Sequence, residues 1–381
     1  MEGKRLGGLN FVRALAFFLI FISHTGITGC AFGGPAGVEI FFLLSGFLLF
    51  WNYTDRTMDF SIRGRLRFAW HKIKKLYPLH LLTLLVGIML DVRLYGMASG
   101  SRLVSTAVKS VLNLLLLQSW IPKASFYFSF NSVSWYLSVL FFLYFMFPWV
   151  LQRLKKYKYR RTAVVVICSV IMIETSLTFG VSLACRQMSV SEDITKWFTY
   201  INPVYRLGDF IIGCNLGYLF RTALYTPRSG RVPFKWRNTS LEFLALLLLI
   251  LPGILYNRII SVIQGACPQA WWIWSLLFLP SAGFLICAFS MGGALSHWLN
   301  CIPIRGIAAI SPYAFLIHQL VIRIIGPLIP DWHIQGIGYS YINAGICLVI
   351  TIVLCTIYKS LTICLAKKKT SEYGLSESRK E

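Results

Sequence analysis

Acidic residues are scarce in this sequence. Asp and Glu number 14 against 37 Lys and Arg, and charged residues of both signs make up only 13% of the chain. A soluble globular domain carries about 25%, so an ordinary soluble fold is excluded. Metal-site spacing is missing as well. The ten cysteines form no CxxC pair and no Cys/His pattern of the zinc type, so no resident metal is expected. Cys168, Cys287 and Cys347 lie inside apolar runs and read as small core hydrophobes. No polar stretch is long enough to build a soluble domain at either end.

Apolar runs are what the sequence has in quantity. Hydrophobic residues reach 56%, in runs of roughly 20, the length at which a helix crosses a bilayer. Eleven such segments stand out, roughly at 9–29, 35–53, 77–92, 104–120, 132–151, 162–184, 200–220, 241–257, 271–290, 306–329 and 341–364. The expected fold is all-α, a polytopic transmembrane helical bundle. Residues 1–366 read as one membrane domain and 367–381 as a short basic and polar tail.

A net charge of +23 in a soluble protein would point to nucleic acid. Here the basic residues gather in three short loops. Arg56, Arg63, Arg65, Arg67, Lys72, Lys74 and Lys75 share the first. Arg153, Lys155, Lys156, Lys158, Arg160 and Arg161 share the second, and Arg221, Arg228, Arg231, Lys235 and Arg237 the third. That is the signature of cytoplasmic loops, so the expected partner is membrane lipid and not nucleic acid. Lys4 and Arg5 at one end, and Lys367, Lys368 and Lys369 at the other, place both termini in the cytoplasm. An even number of crossings follows, so one of the eleven segments does not cross. If that segment is 104–120, all three basic loops face the cytoplasm. It is also the least apolar, containing Lys109 and bounded by Arg102 and Gln118. The expectation is ten spans, with 104–120 re-entrant or lying at the outer interface. Lys4–Arg5, the following apolar stretch and Ile27-Thr28-Gly29-Cys30 also look like a lipoprotein signal, but the apolar core of a cleaved signal lacks charge, and this one contains Arg13 and His24. Trp271, Trp272 and Trp274 mark an aromatic belt at the outer face.

Ionisable groups inside spans are costly and therefore candidate functional residues. Arg13 and His24 are eleven residues apart, which returns to nearly the same helix face about 16 Å farther along. Arg13 falls near the cytoplasmic end and His24 toward the outside; together they line a cavity, or else Arg13 snorkels to the inner surface and His24 rests in the outer interface. The short hairpin that follows brings Glu39 to the depth of His24, where a carboxylate can fix an imidazole tautomer. Lys72 and Lys75, one helical turn apart at the membrane boundary, suit phosphate or anionic lipid headgroups. Arg206 and Asp209 are spaced to neutralise one another. Ser311 and His318 share a face of a later span, with Tyr313 and Arg323 nearby, and Asn131, Ser134 and Trp135 open the span at 132–151 from outside. Glu174 is a lone acid in mid-membrane with no assignment.

Taken together these residues resemble acyltransferase family three, the membrane O-acyltransferases. Arg13 and His24 match the family's Arg-x10-His. The block Gly37-Val38-Glu39-Ile40-Phe41-Phe42-Leu43-Leu44-Ser45-Gly46-Phe47 is similar to its Gly-Val-Asp/Glu-x-Phe-Phe-x-x-Ser-Gly-Phe signature and is the most specific match. Lys72 and Lys75, before Leu76-Tyr77-Pro78, stand where the family has Arg-x-x-Arg. Arg206-Leu207-Gly208-Asp209-Phe210 and Ser311-Pro312-Tyr313-Ala314-Phe315-Leu316-Ile317-His318 resemble weaker motifs. Two departures stand out. Lysines replace the paired arginines, losing bidentate geometry but keeping charge. The family's Trp-x-Leu-x-x-Glu reads Trp135-Tyr136-Leu137 followed by Leu140. Some members carry a C-terminal extracytoplasmic hydrolase-like domain; none is expected here.

The resemblance implies an acyl-CoA, commonly acetyl-CoA, as donor substrate, with no permanently bound cofactor. It implies as acceptor a hydroxyl of a cell-surface glycan, a lipid-linked sugar or glycolipid, or a small molecule, at a bacterial plasma membrane. Lys72, Lys75, Arg65, Arg67 and Tyr77 are then the acyl-CoA-binding candidates. His24, Arg13 and Glu39 are the catalytic ones. Trp135, Arg206, Asp209, Ser311, Tyr313 and His318 line the acceptor cavity. A separate extracytoplasmic esterase-like partner is a further expectation. The rival reading is a polytopic glycan or lipid transporter or flippase without acyl transfer, although the halves show no repeat of the kind transporters carry.

Overall fold

The computed structural model describes residues 6–27, 32–96, 100–225, 236–266, 274–328 and 337–377. Lys4, Arg5, Arg228, Arg231, Lys235, Trp271, Trp272 and the Thr28-Gly29-Cys30 part of the signal-like motif lie outside the described residues. Every regular element among the described residues is helical. In order they are α1 (Gly8–Ser23), α2 (Gly33–Tyr53), α3 (Ile62–Ile73), α4 (Tyr77–Tyr95), α5 (Gly100–Leu114), α6 (Ala124–Tyr127) and α7 (Trp135–Leu154). Then follow α8 (Arg160–Gln187), α9 (Glu192–Lys196), α10 (Pro203–Leu219), α11 (Trp236–Ala266), α12 (Trp274–Met291), α13 (Ala294–Leu299), α14 (Ile302–Ile325) and α15 (Ile337–Glu377). Among the described residues, seven helices are long and apolar enough to cross a membrane: α2, α4, α7, α8, α11, α14 and α15. Gly8–Ser23 and Leu276–Met291 are apolar but shorter. Helix α15 runs without a break past residue 366, so the expected tail continues the last helix.

Helix α5 covers most of segment 104–120 and is not among the membrane-length apolar helices. Arg102, Thr106, Lys109 and Asn113 recur along it at helical spacing. It lies antiparallel along α4. Arg102 reaches the Tyr95 carbonyl at one end, and Tyr77 Oη donates to the Leu114 carbonyl at the other, 2.8 Å away. The chain then climbs back, with Phe130 against Gly87 midway along α4. Gln118 Nε2 donates to the Ser134 carbonyl at 3.0 Å, and the hydroxyls of Ser119 and Ser138 are 2.6 Å apart. The segment folds back on itself and delivers α7 without another long helix.

Helix α2 is the centre of the bundle, with α1, α10 and α12 packed around it. It runs parallel to α10 at backbone-to-backbone distance. A Cβ on Gly46 would overlap the Phe210 carbonyl, and one on Gly213 would overlap that of Leu43. Only glycine allows this approach, and small residues are the usual device where apolar burial cannot drive helices together. The consequence for function lies two turns earlier on each helix, where Glu39 and Arg206 are brought face to face.

The three basic loops meet at one end of the bundle. Arg221 pairs with Asp55 at 2.7 Å, Lys155 Nζ donates to the Arg56 carbonyl at 3.0 Å, and the Arg160 guanidinium donates to the Thr222 carbonyl. At that same chain end of α1, Asn10 Nδ2 donates to Asn300 Oδ1 at 3.1 Å. The buried Glu242 carboxylate accepts the N–H groups of Gly293, Leu295 and Ser296 at 2.7, 3.1 and 3.3 Å, which fixes the corner between α12 and α13 that α1 packs on.

Candidate active site

His24 caps the C-terminal end of α1 and faces a cavity of about 420 Å³ lined by Ser23, Ser132, Trp135, Lys196 and Tyr200 among others. Its Nδ1 lies 2.8 Å from the Ile20 carbonyl and 3.5 Å from His318 Nε2. A carbonyl only accepts, so Nδ1 carries the proton and Nε2 is the basic nitrogen. His318 is fixed in the same sense: its Nδ1 lies 3.1 Å from the Ala314 carbonyl and must donate, leaving Nε2 to accept from His24. The rings of Phe17, Phe21 and Phe315 enclose His318 with centroids about 6 Å away. One chain of hydrogen bonds therefore sets both tautomers and leaves His24 Nε2 free of its neighbour's proton.

Glu39 does not orient His24. Its carboxylate is fully buried and bonds Arg206 Nη1 at 3.1 Å, while the same nitrogen bonds Asp209 at 2.7 Å. Depth along the membrane placed Glu39 level with His24, but the rotation of α2 turns it toward α10. Glu174 from α8 belongs to the same cluster, its carboxylate packed on Gly208. The cluster supports the cavity wall: Arg206 Nε donates to the Tyr200 carbonyl at 2.7 Å and stacks 4.5 Å over its ring, and Tyr200 in turn lies 5.5 Å from the Trp135 ring.

Arg13 lies in a second cavity of about 280 Å³, farther along α1 toward the basic loops, with Ser45, Tyr136, Leu140 and Tyr144. The Ser45 hydroxyl sits against both phenols. Leu140 occupies the wall where the related pattern has glutamate, so this cavity presents a guanidinium and phenols with no acid from that position. Phe315 lines both cavities. With Tyr136 at 4.9 Å and Phe41 at 6.2 Å it forms an aromatic neck between them.

At the basic end a third hollow of about 360 Å³ is lined by Arg56, Arg67 and His71 among others. Lys72 extends over the Tyr53 ring at 4.2 Å beside it, and Lys75 is exposed. Arg65 points elsewhere: it donates to the Phe145 carbonyl at 3.0 Å and lies 4.0 Å over the Phe145 ring, fastening α3 to α7. Tyr77 is occupied by Leu114. Of the later candidates, Trp135 lines the outer cavity and His318 stands behind His24. Ser311 turns its hydroxyl to the Ala308 carbonyl of its own helix at 3.0 Å, and Tyr313 packs on Tyr358 at 5.5 Å. Neither reaches His24. Sequence reasoning missed Ser45 as a lining residue, Tyr136 and Tyr144, which form one stripe with Leu140 at four-residue spacing, and Lys196 and Tyr200, also four apart. No cluster of three His, Cys, Asp or Glu able to hold a metal occurs among the described residues.

Residues 6–361 match the acyltransferase-3 family, described as an acyltransferase domain. The chain belongs to that family. It is 29% identical over 267 residues to acyltransferase MdmB of Streptomyces mycarofaciens, a match covering 65% of this chain and 62% of the relative's length. No solved structure matches the chain. The chain thus spans less than two thirds of that relative's length, and as an acyltransferase-3 family member it carries apolar helices long enough to cross a membrane.

Proposed function

We propose that this chain transfers an acetyl group from acetyl-CoA to a hydroxyl of a glycan, glycolipid or small molecule, with the donor entering from the basic loops and the acceptor from the His24 cavity. The observation that carries this reading is the alignment of two cavities along one helix. Arg13 and His24 lie eleven residues apart on α1, each facing its own cavity, and the cavities share Phe315. Ten spans with both termini in the cytoplasm accommodate the arrangement, and the meeting of the three basic loops at one end supports it.

Arg56, Arg67 and Lys72 then hold the nucleotide phosphates of CoA as charges, and the pantetheine arm extends past Arg13 to the aromatic neck. His24 Nε2 takes the proton of the acceptor hydroxyl as its oxygen attacks the thioester carbonyl. His318 Nε2 accepts from His24 Nδ1–H and steadies the imidazolium. The carbon–sulfur bond breaks, the CoA thiolate takes the proton back from His24, and the acetyl ester leaves outward. Arg13, in the cavity the arm passes through, donates to the amide carbonyls of the pantetheine and holds the donor in place.

The test is acetyl transfer from radiolabelled acetyl-CoA in isolated membranes. The native chain is expected to yield a base-labile acetyl product, and His24→Gln to lose about 10²–10⁴-fold in rate at equal expression, the scale of general-base assistance. Full activity in His24→Gln overturns the role of His24. Movement of a glycan or lipid across the membrane without an acetylated product overturns the enzyme reading in favour of a transporter.

A further inference from the structure

The His24 cavity contains a cation that the transfer chemistry does not use. Lys196 ends the short helix α9 and lines the same cavity as Ser132, Trp135 and Tyr200. It is half-buried, with Nζ 4.7 Å over the Phe128 ring. The segment that bears it is fastened from two directions. Asp193 Oδ2 accepts the Ala124 N–H at 3.4 Å, and the Asp193 carbonyl accepts from Tyr127 Oη at 3.2 Å. Trp197 Nε1 donates to the Ser119 carbonyl at 2.8 Å, and Thr199 Oγ1 to that of Thr195 at 2.9 Å. Glu192 and Asp193 both act on the ammonium through their charge; Asp193 is bonded to Ala124, and Glu192 is exposed on the first turn.

A lysine on a solvent-facing loop samples many positions and selects little. This one lies over an aromatic ring at the wall of a cavity that Trp135 and Tyr200 also line. Ring faces receive the C–H surface of a sugar, and a positioned ammonium receives a carboxylate or phosphate through charge-assisted hydrogen bonds. The same charge raises the encounter rate of anionic ligands and disfavours cationic ones.

We propose that Lys196 binds an anionic group on the acceptor, carboxylate or phosphate, and by holding it presents the acceptor hydroxyl to His24; the acceptor is an acidic sugar or a sugar phosphate rather than a neutral one. The proposal rests on the reading of the outer cavity as the acceptor site. It is tested without turnover, so its failure is separate from a failure of acetyl transfer. The full chain, purified in uncharged detergent, is treated with sulfo-N-hydroxysuccinimide acetate, and acetylation of Lys196 is followed by peptide mass spectrometry. Saturating glucuronate and glucose 6-phosphate are expected to slow labelling of Lys196 about tenfold, the occupancy change that one charge-assisted contact supports, while glucose leaves it unchanged and Lys123 labels equally throughout. Equal protection by glucose, absence of protection by either anion, or no labelling of Lys196 without ligand would overturn the proposal. Protection by phosphatidylglycerol in neutral nanodiscs but by neither soluble anion would assign Lys196 to a lipid headgroup and overturn it too.

Discussion

His24 has one nitrogen occupied and one available, and the occupied one is held by the Ile20 carbonyl and His318. A second histidine in this place does what a carboxylate does in many acid–base sites, with one difference: it stabilises the imidazolium by accepting a hydrogen bond while carrying no charge. His318→Phe is therefore expected to lower kcat about 10-fold, the worth of one such hydrogen bond, with KM for acetyl-CoA unchanged. His318→Gln, whose amide oxygen can accept the same proton, should recover part of kcat. A fall in folded yield with no kcat change in the remaining protein would show His318 to be structural only. Lys196 gives the pH dependence at this scale. Burial lowers its ammonium to about 8, against the opposing pull of Glu192 and Asp193. The charged form is the binding form, so KM for an anionic acceptor should be flat below that value and climb as pH rises through it. The climb should shift to higher pH in Lys196→Arg, whose guanidinium stays protonated. His24 and Tyr200 also face this cavity, and Tyr127 lies beneath Asp193; a loss of His24 function appears in kcat, which keeps the two effects apart. The sequence showed Arg13 and His24 because helical spacing alone relates them. It could not show that Glu39 faces away from His24, because that depends on the rotation of α2 against a helix 167 residues later.

Helices α2 and α10 depend on each other through two kinds of contact. Gly46 and Gly213 bring the backbones together, and Arg206 pairs with both Glu39 and Asp209 in the space the approach creates. Removing Arg206 leaves two buried carboxylates without their cation, an arrangement that costs about 3–5 kcal/mol, and removes the support of the Tyr200 wall. Arg206→Leu should accordingly lower the thermal midpoint of the detergent-solubilised protein by well over 5 °C, read by intrinsic fluorescence. Arg206→Leu combined with Glu39→Gln and Asp209→Asn should recover much of it. An unchanged midpoint in the single variant would mean that water already reaches the cluster. The i,i+3 spacing of Arg206 and Asp209 disclosed half of this cluster, and the glycine-rich block of α2 hinted at a close neighbour. Which helix that neighbour is, and that Glu174 joins the cluster, are tertiary facts that hydropathy does not encode. The departure of α5 from the membrane-length helices was legible, by contrast, because Lys109 and its flanking polar residues lie within the segment itself.

At the scale of the whole molecule the charge asymmetry and the cavities express one polarity. The basic loops that meet through Arg221–Asp55 and Lys155–Arg56 stand at the end of α1 nearer Arg13, and His24 with Lys196 at the other. Under the proposed topology the positive-inside rule puts the first end in the cytoplasm, on the side of the proposed acyl-CoA donor, because basic loops of this length resist translocation. The fold-back of α5 is what makes this consistent: were 104–120 a full crossing, Lys155 and Arg221 could not lie on the same side as Arg56, yet hydrogen bonds and an ion pair join all three loops. Single cysteines at Arg56, Lys155 and Arg221 should therefore react with a membrane-permeant maleimide but resist an impermeant one in intact cells, whereas a cysteine at Lys123 or Lys196 should react with both. These positions are to be tested in a background in which the cysteines exposed among the described residues, Cys168, Cys301 and Cys364, and Cys30 and Cys267, which lie outside the described residues, are replaced by serine. Labelling of the Lys123 site only after permeabilisation would place the His24 cavity on the cytoplasmic side. Donor and acceptor would then meet without any passage across the bilayer, and the aromatic neck of Phe41, Tyr136 and Phe315 would separate two compartments of one cytoplasmic cavity rather than the two faces of a membrane.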